Sequence, residues 1–372
     1  MKHEVTIPFY AKTALISISA FALIYTLVAG QAIFIPIVLA TILAILLNPL
    51  VNYLVARKIN RIVSIAVAVI IATLFAVGVV YVVSAQISMV SDAYPTLKVK
   101  FTATSVELVR WISQTFNIPQ SRITEWSSET QSHAIADFAI GEKVTQVGRV
   151  AVIILLLPVY LYLILYYKTL LLEFVRRLFR RKHQTTVTEV LTNTKQIVQQ
   201  YLVGLFIEMI IVGVLNSAGL LILGIEYAII LGFTGAILNI VPYIGGVIAI
   251  MLPMLIAYAT TDTLVSPILV FVIYLIIQFI DNHFIVPKIV ASRVQLNALV
   301  SIIVVLVGGA IWGVPGMFLS IPITAIVKVI CDHIEPLKPW GFLLGNIVPT
   351  SSSIRLLGNV APFKERLSRK QR

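Results

Sequence analysis

The chain has 372 residues, of which 59% are hydrophobic and 12% are charged, and its mean hydropathy is +0.98. Soluble proteins carry about 25% charged residues, so this composition excludes a water-soluble globule and predicts a membrane protein. The formal net charge is +12, but the Lys and Arg residues lie in short stretches between apolar runs, which argues against nucleic-acid binding. The one cysteine, Cys331, excludes an intrachain disulfide, a thiolate zinc cluster and an iron–sulfur centre.

Three membrane spans are predicted in residues 1–83. Residues 13–56 carry no charge, a length about twice the roughly 20 residues that one transmembrane helix needs. Gly30 and Gln31 predict a turn in this run, with helices at residues 13–29 and 32–55, and a third span follows at residues 62–83. A cleaved signal peptide is the alternative for the first helix, but a second apolar run follows after one turn.

A hydrophilic stretch at residues 84–148 separates the third span from a fourth at residues 150–167. Its acidic and basic residues nearly balance. Apolar residues recur in it at helical spacing, at Val106, Val109, Ile112 and Phe116. We therefore expect a small helical segment outside the membrane.

The basic residues predict the orientation of the chain. They are concentrated after the second and fourth spans and in a tail at residues 336–372. Cytoplasmic loops are rich in Lys and Arg, so both termini are predicted to be cytoplasmic and residues 84–148 to lie outside. Attraction to anionic membrane lipid is the expected role of these basic runs.

Residues 149–335 contain two unusual apolar runs. A fifth span at residues 202–223 precedes them, and an ordinary span at residues 263–280 separates them. The runs at residues 227–261 and 294–327 are uncharged, too long for one vertical helix, and interrupted by Gly and Pro. We predict two helical hairpins with broken tips that enter from opposite sides. The fold is thus an all-α polytopic membrane protein with about eight transmembrane segments.

Paired broken segments of this kind are typical of the binding sites of transporters, because bends free backbone groups to meet an ion or substrate. The first candidate half-site comprises Asn239, Pro242, Gly245 and Gly246. The second comprises Gly308, Gly309, Gly313, Pro315 and Gly316. Close helix packing through small residues is the alternative for both clusters.

A few polar residues inside apolar spans are candidates for ion coupling. Glu208 is costly to bury as a charge, so we expect it to be protonated, paired or in a wet cavity, unless it lies in the interface. Asn216 follows eight residues later on nearly the same face, where it either shares that cavity or bonds a neighbouring helix. Asp281, Asn282 and His283 follow the span between the hairpins, and His283 is expected to tune Asp281 unless this is only a polar helix end.

No catalytic motif is recognisable. The chain lacks HExxH, GxSxG and the GxxxxGK[ST] phosphate loop. The five histidines are isolated from one another, at His3, His133, His183, His283 and His333. We therefore predict a protein that is not an enzyme, with no metal site and no cofactor.

The motifs of the C-terminal half carry a family resemblance. They are Asn239-Ile-Val-Pro-Tyr-Ile-Gly-Gly246, Asp281-Asn-His-Phe-Ile-Val-Pro-Lys288, Gly308-Gly-Ala-Ile-Trp-Gly-Val-Pro-Gly316 and Ile321-Pro322. In this order they resemble the signatures of the autoinducer-2 exporter family, the PerM/TqsA-like permeases. Ala291 and Ala298 stand where the family usually has Gly and Pro, which weakens inference about the substrate.

The resemblance implies a prokaryotic inner-membrane protein that forms a homo-oligomer, with a pentamer as the expected assembly. It also implies export of a small signalling metabolite such as autoinducer-2, or sodium/proton antiport, so sodium ions and protons are possible partners. We favour a gradient-coupled secondary transporter. A passive oligomeric channel for small polar metabolites and a non-transporting membrane scaffold are the alternatives.

Overall fold

The computed structural model describes residues 8–116, 143–242, 244–261, 263–291 and 296–346. Its elements in these ranges are helices, apart from one isolated β-bridge between Leu296 and Gly345, which confirms the all-α prediction. Part of the predicted extramembrane segment, residues 117–142, and the tail from residue 347 lie outside the described residues.

Two helices joined at Gly30 form the N-terminal part. Helix α1 covers Phe9–Ala29 and helix α2 covers Gln31–Ala56, and the turn falls at Gly30, as predicted. No residue of α1 is buried in the protein, although most of its side chains are apolar. Such a helix is stable only in lipid or against another apolar surface.

Helix α3 covers Arg61–Phe116 without a break, although the sequence predicts a separate segment from residue 84. Its 56 residues extend about 84 Å at about 1.5 Å per residue, which is roughly twice the full thickness of a bilayer. Residues 79–94 contain no Gly or Pro, so nothing stops the helix where hydrophobicity falls. The span thus carries a long extension beyond the membrane.

The fourth span ends in a sharp bend. Helix α4 covers Lys143–Tyr166 and helix α5 covers Lys168–Arg177, and α5 departs at 65° from the end of α4. Arg61 Nη2 donates to the carbonyl oxygens of Leu165 and Tyr166 at the bend, at 3.4 and 3.3 Å. These bonds fasten the start of α3 to the end of α4.

Lys168 fixes the same bend to α2, because its ammonium donates to Oδ1 of the buried Asn48 at 2.8 Å. Partial burial, followed by the charges of Lys195 and Arg61, lowers the pKa of Lys168. Basic residues of three helices therefore lie close together here.

Helix α6, Gln184–Ile222, has 39 residues and packs against both hairpins. Hairpin 1 consists of α7, Ala228–Asn239, and α8, Ile244–Thr260. A 12-residue helix is about 18 Å long, so α7 is too short to cross a hydrocarbon core of about 30 Å. Hairpin 1 is therefore re-entrant.

Helix α9 covers Val265–Ile280 and continues as π-helical turns over Asp281–Ile285 and Pro287–Ala291. The sequence predicts a span that stops at residue 280. The apolar span instead reaches Val290, because the polar residues form π-helical turns that continue the helix. Asp281 consequently lies inside a span.

Hairpin 2 is α10, Ala298–His333, which reverses direction at Gly313. Gly313 has a φ of 63° and a ψ of −143°, a conformation that side chains other than glycine resist. The arms then meet so closely that a methyl group at Gly316 would lie 1.9 Å from the carbonyl oxygen of Gly308. A short helix, α11, covers Lys338–Leu344.

The open ends of the two hairpins lie at opposite ends of α6. Leu220, near the end of α6, shares a buried cluster with Ala228 and Ile256 of hairpin 1. Asn193, near its start, contacts His333 at the end of hairpin 2, with the two side-chain nitrogens 3.4 Å apart. Because α6 spans the membrane, the hairpins enter from opposite faces.

Six helices of the described chain are long and apolar enough to span a membrane, or seven if α4 and α5 count as one bent span. The prediction of about eight segments counts each broken hairpin as one segment. The short arms of hairpin 1 fall below the length of a span, and the two arms of hairpin 2 form one bent helix.

Candidate functional site

A cavity of about 660 Å³ lies between the hairpins, α6 and α9. Its wall includes the tip of hairpin 1, one face of α6 and the π-helical turns after α9. Its polar lining residues are Tyr201, Glu208, Asn239, Gln278, Asp281, Asn282 and Ser301. A cavity between apolar spans that carries several polar lining residues is suited to holding an ion or a small polar molecule.

Glu208 reaches the cavity from α6 and is only 7% exposed. One turn earlier, Gly204 lets the π-helical segment approach α6 closely, since a methyl group at Gly204 would lie 2.7 Å from the carbonyl oxygen of Ile289. This contact brings the elements that carry Glu208 and Asp281 side by side. Glu208 is therefore buried in the protein, where its carboxyl group borders the cavity.

Asp281 is 1% exposed and lines the same cavity as Glu208. Its Oδ2 accepts a hydrogen bond of 3.1 Å from Nδ2 of Asn239, which lies at the tip of hairpin 1. Its Oδ1 is buried and has no protein hydrogen-bond partner. A proton, a water molecule or a cation is needed to satisfy this oxygen.

The two carboxyl groups have no basic partner in the described part of the chain. None of the ion pairs found there includes Glu208 or Asp281. The same residues contain no group of three or more His, Cys, Asp or Glu side chains that could hold a metal ion. Two carboxylates with amide oxygens nearby suit a proton or a hard monovalent cation better than a tightly held transition metal.

The residues predicted for the first half-site lie around the tip of hairpin 1. Asn239, Pro242 and Gly246 line the cavity. Gly245 instead packs the two arms together, because a methyl group there would lie 1.8 Å from the carbonyl oxygen of Leu238. Gly245 thus supports the tip without facing the cavity.

The second predicted half-site is not part of the cavity. Its five residues, Gly308, Gly309, Gly313, Pro315 and Gly316, are absent from the cavity wall. Gly308 and Gly316 form the close contact between the arms, and Gly309 faces Met317. Small side chains serve close packing here, which is the alternative that the sequence left open.

The structure also separates the predicted polar residues. Asn282 lines the cavity beside Asp281. Asn216 lies outside the cavity, where its Nδ2 donates to the carbonyl oxygen of Gly232 at 3.4 Å and so bonds hairpin 1. His283 is exposed and stacks on Phe279, with its Nδ1 2.9 Å from the carbonyl oxygen of that residue. It faces away from the carboxyl group that it was expected to tune.

Sequence reasoning missed Tyr201, Gln278 and Ser301. Gln278 lies three residues before Asp281, on the same helix face, and is a polar residue in an apolar run. Tyr201 precedes Glu208 by seven residues, which is two helical turns. These spacings were available signals, whereas Ser301 comes from a distant segment and no local pattern indicates it.

A multi-pass helical protein with a polar cavity beside broken, oppositely inserted hairpins has the architecture of a membrane transporter. Residues 15–335 match the sequence model of the AI-2E family transporter. The chain belongs to the AI-2E transporter family, and it is a multi-pass integral membrane protein.

Curated relatives are similar over parts of their length. The putative permease PerM of Escherichia coli is 28% identical over a stretch that covers 49% of this chain and 51% of the length of PerM. The putative transport protein YrrI of Bacillus subtilis is 30% identical over 36% of this chain and 37% of its own. The AI-2 transport protein TqsA of Escherichia coli is 30% identical over 37% of this chain and 39% of its own. The chain thus matches between about a third and a half of each relative.

Proposed function

We propose that the protein is a gradient-coupled secondary transporter of the inner membrane and that its transport site is the cavity between the hairpins. The observation that carries this proposal is the pair of buried carboxyl groups, Glu208 and Asp281, in one cavity without a basic partner among the described residues. A buried carboxyl group can exchange a proton for a cation, because either one removes the cost of an isolated charge.

In this proposal the coupling ion binds between the tip of hairpin 1 and α9. Asn239 holds Oδ2 of Asp281, which leaves Oδ1 free to accept a proton or to bind a cation such as sodium. Glu208 supplies the second exchangeable group. The hairpins inserted from opposite faces then provide two routes by which the site is reached alternately.

The test is proton movement in proteoliposomes under an imposed sodium gradient, measured with a trapped pH-sensitive dye. We expect a sodium-dependent pH change in the native protein and its loss in Glu208→Gln and in Asp281→Asn. Glu226→Gln is the matched control, since Glu226 lies in the exposed turn between α6 and α7. It removes the same charge and should leave the signal unchanged.

Two outcomes would contradict this proposal. Unchanged coupling in both cavity variants would show that the two carboxyl groups take no part in coupled transport. Flux that ignores every imposed ion gradient would favour a passive channel. Assembly of each variant, checked by size-exclusion chromatography in detergent, distinguishes loss of coupling from loss of fold.

Export of a small polar metabolite is the second candidate function. The relative TqsA is named an AI-2 transport protein, and a cavity of about 660 Å³ lies within the range of about 300–1,000 Å³ typical of small-molecule sites. We propose autoinducer-2 as the first metabolite to assay, by its efflux from loaded vesicles. If efflux requires Asn239 and Asp281, this would support the cavity as the route of the metabolite.

The proposed assembly is a homo-oligomer with both termini in the cytoplasm. The basic residues after α2 and α4 support this orientation. The largely exposed apolar surface of α1 leaves room for contacts with another copy or with lipid. Cross-linking in native membranes tests the oligomer, and labelling of cysteines placed in the α2–α3 loop tests the orientation.

A further inference from the structure

Helix α5 and the basic residues after it form a distinct feature at the end of the fourth span. The helix begins directly after α4 and departs from it at 65°. A helix that leaves a spanning helix at this angle runs closer to the membrane plane than to its normal. Such a helix is positioned to lie where the hydrocarbon core gives way to the headgroup layer.

The helix is amphipathic. Leu170, Phe174 and Leu178 repeat every four residues on one side, while Thr169 and Glu173 lie on the other. The three apolar side chains are 63%, 59% and 65% exposed, so the protein itself does not cover them. Exposed apolar side chains at the level of the interface are stable when they enter the acyl chains of the lipid.

The polar side carries a strong positive charge. Residues 168–182 contain six basic residues and one acidic residue. Glu173 pairs with Arg176 and Arg177, each at 2.8 Å, and the hydrogen bond from Arg177 holds its pKa below the usual range, so it stays ionised. No described carboxylate forms an ion pair with the basic residues at 180–182.

We propose that α5 lies in the membrane–water interface and that it forms, with residues 180–182, a binding surface for anionic phospholipid headgroups. The apolar side chains enter the acyl layer and the guanidinium groups bind headgroup phosphates. Lipid is the occupant that fits the charge. A second copy seated on the same side would bring two strongly basic stretches together, whereas an anionic surface neutralises them.

The test uses site-directed spin labels on the full chain in bilayers. Cys331 is the one cysteine and is buried, so Cys331→Ala gives a background for single cysteines. We expect labels at Leu170 and Phe174 to collide with dissolved oxygen and to be shielded from a water-soluble nickel chelate. Labels at the adjacent Thr169 and Glu173 should show the reverse.

Two results would overturn the placement. Equal access of the nickel chelate to all four positions would place α5 in water. Shielding of Leu170 and Phe174 from both reagents, with spin–spin broadening, would assign the apolar side to a second copy.

A second measurement tests the lipid charge. Arg180→Gln with Arg181→Gln should weaken association of spin-labelled phosphatidylglycerol by about five-fold per residue, and leave phosphatidylcholine unchanged. Lys98→Gln with Arg110→Gln is the matched control, because it removes two exposed charges from the long extension of α3. An equal loss in the control, or no loss in the first variant, would contradict the proposed surface.

Discussion

The two hairpins share a sequence signature but contribute differently to the cavity. Both reverse at clusters of Gly and Pro, and both pack their arms through a glycine, Gly245 in hairpin 1 and Gly316 in hairpin 2. The tip of hairpin 1 lines the cavity. The tip of hairpin 2 lies next to α1, where Trp312 Nε1 donates to the carbonyl oxygen of Leu27 at 3.0 Å.

This difference teaches that a Gly/Pro cluster predicts a chain reversal rather than a binding site. Hairpin 1 becomes part of a site because its tip carries Asn239, which meets Asp281 of a neighbouring span. Hairpin 2 has Trp312 and Val314 on either side of its reversal and reaches the cavity only through its arms, at Ser301 and Ile321.

Substitution of the packing glycines should have the largest effect and should affect both hairpins alike. Gly245→Ala and Gly316→Ala each place a methyl group within 1.9 Å of a carbonyl oxygen on the opposite arm. We expect a loss of about 3 kcal/mol or more, because backbone must move. Thermal unfolding of the protein in detergent measures it.

Gly78→Ala is the control for this prediction, since no atom lies within 4 Å of a methyl group there. It should leave the melting temperature unchanged or raise it slightly, because Ala favours helix. Wild-type stability in Gly316→Ala would refute the close contact of the arms.

Removal of a polar side chain should affect transport in hairpin 1 but not in hairpin 2. Asn239→Ala deletes the hydrogen bond to Asp281, so we expect a loss of about 1.5–3 kcal/mol in stability and of most coupled transport. Thr324→Val removes a buried hydroxyl of hairpin 2 that bonds only Ser320 of its own helix. We expect that variant to lose about 1 kcal/mol and to keep transport. Equal transport in both variants would contradict the distinction.

A smaller effect on stability is expected from substitution of Lys100, through which α3 contacts hairpin 1. Lys100 Nζ donates to the carbonyl oxygens of Ala259 and Thr261, at 3.1 and 2.7 Å, and so caps the end of α8. Lys100→Met should destabilise this end by about 1 kcal/mol and speed amide hydrogen exchange there. Lys98→Met, two residues earlier on α3, is the control. Unchanged exchange in Lys100→Met would show that the cap contributes nothing.

Gly309→Ala should have the smallest effect. A methyl group at Gly309 meets only the flexible side chain of Met317, which can move. We expect a change within about 1 kcal/mol and normal transport. A selective loss of transport in this variant would indicate that the glycines of hairpin 2 belong to the transport site.

The sequence predicts the spans and reversals well, because both follow from local signals. Hydrophobic length gives α1 and α2, and Gly30 and Gly313 mark turns. It does not show that the helix continues past residue 84 and past residue 280, where hydrophobicity drops. Backbone hydrogen bonds, which hydropathy does not report, decide those boundaries.

The candidate site is only partly predictable for a related reason. Glu208 and Asp281 stand out because a carboxyl group is costly in an apolar span. Which residues accompany them depends on tertiary contacts, such as that between Gly204 and Ile289. Asn216 and His283 are close to the carboxylates in sequence, yet helix rotation turns both of them elsewhere.

The most direct test of the transport cavity compares two serines of hairpin 2 in the Cys331→Ala background. Ser301 lines the cavity, whereas Ser320 is buried outside it and bonds the carbonyl oxygen of Met317. A water-soluble, charged thiol reagent should modify Ser301→Cys and block transport, and should leave Ser320→Cys unmodified. Full transport in a fully modified Ser301→Cys protein would contradict the assignment of this cavity as the transport path.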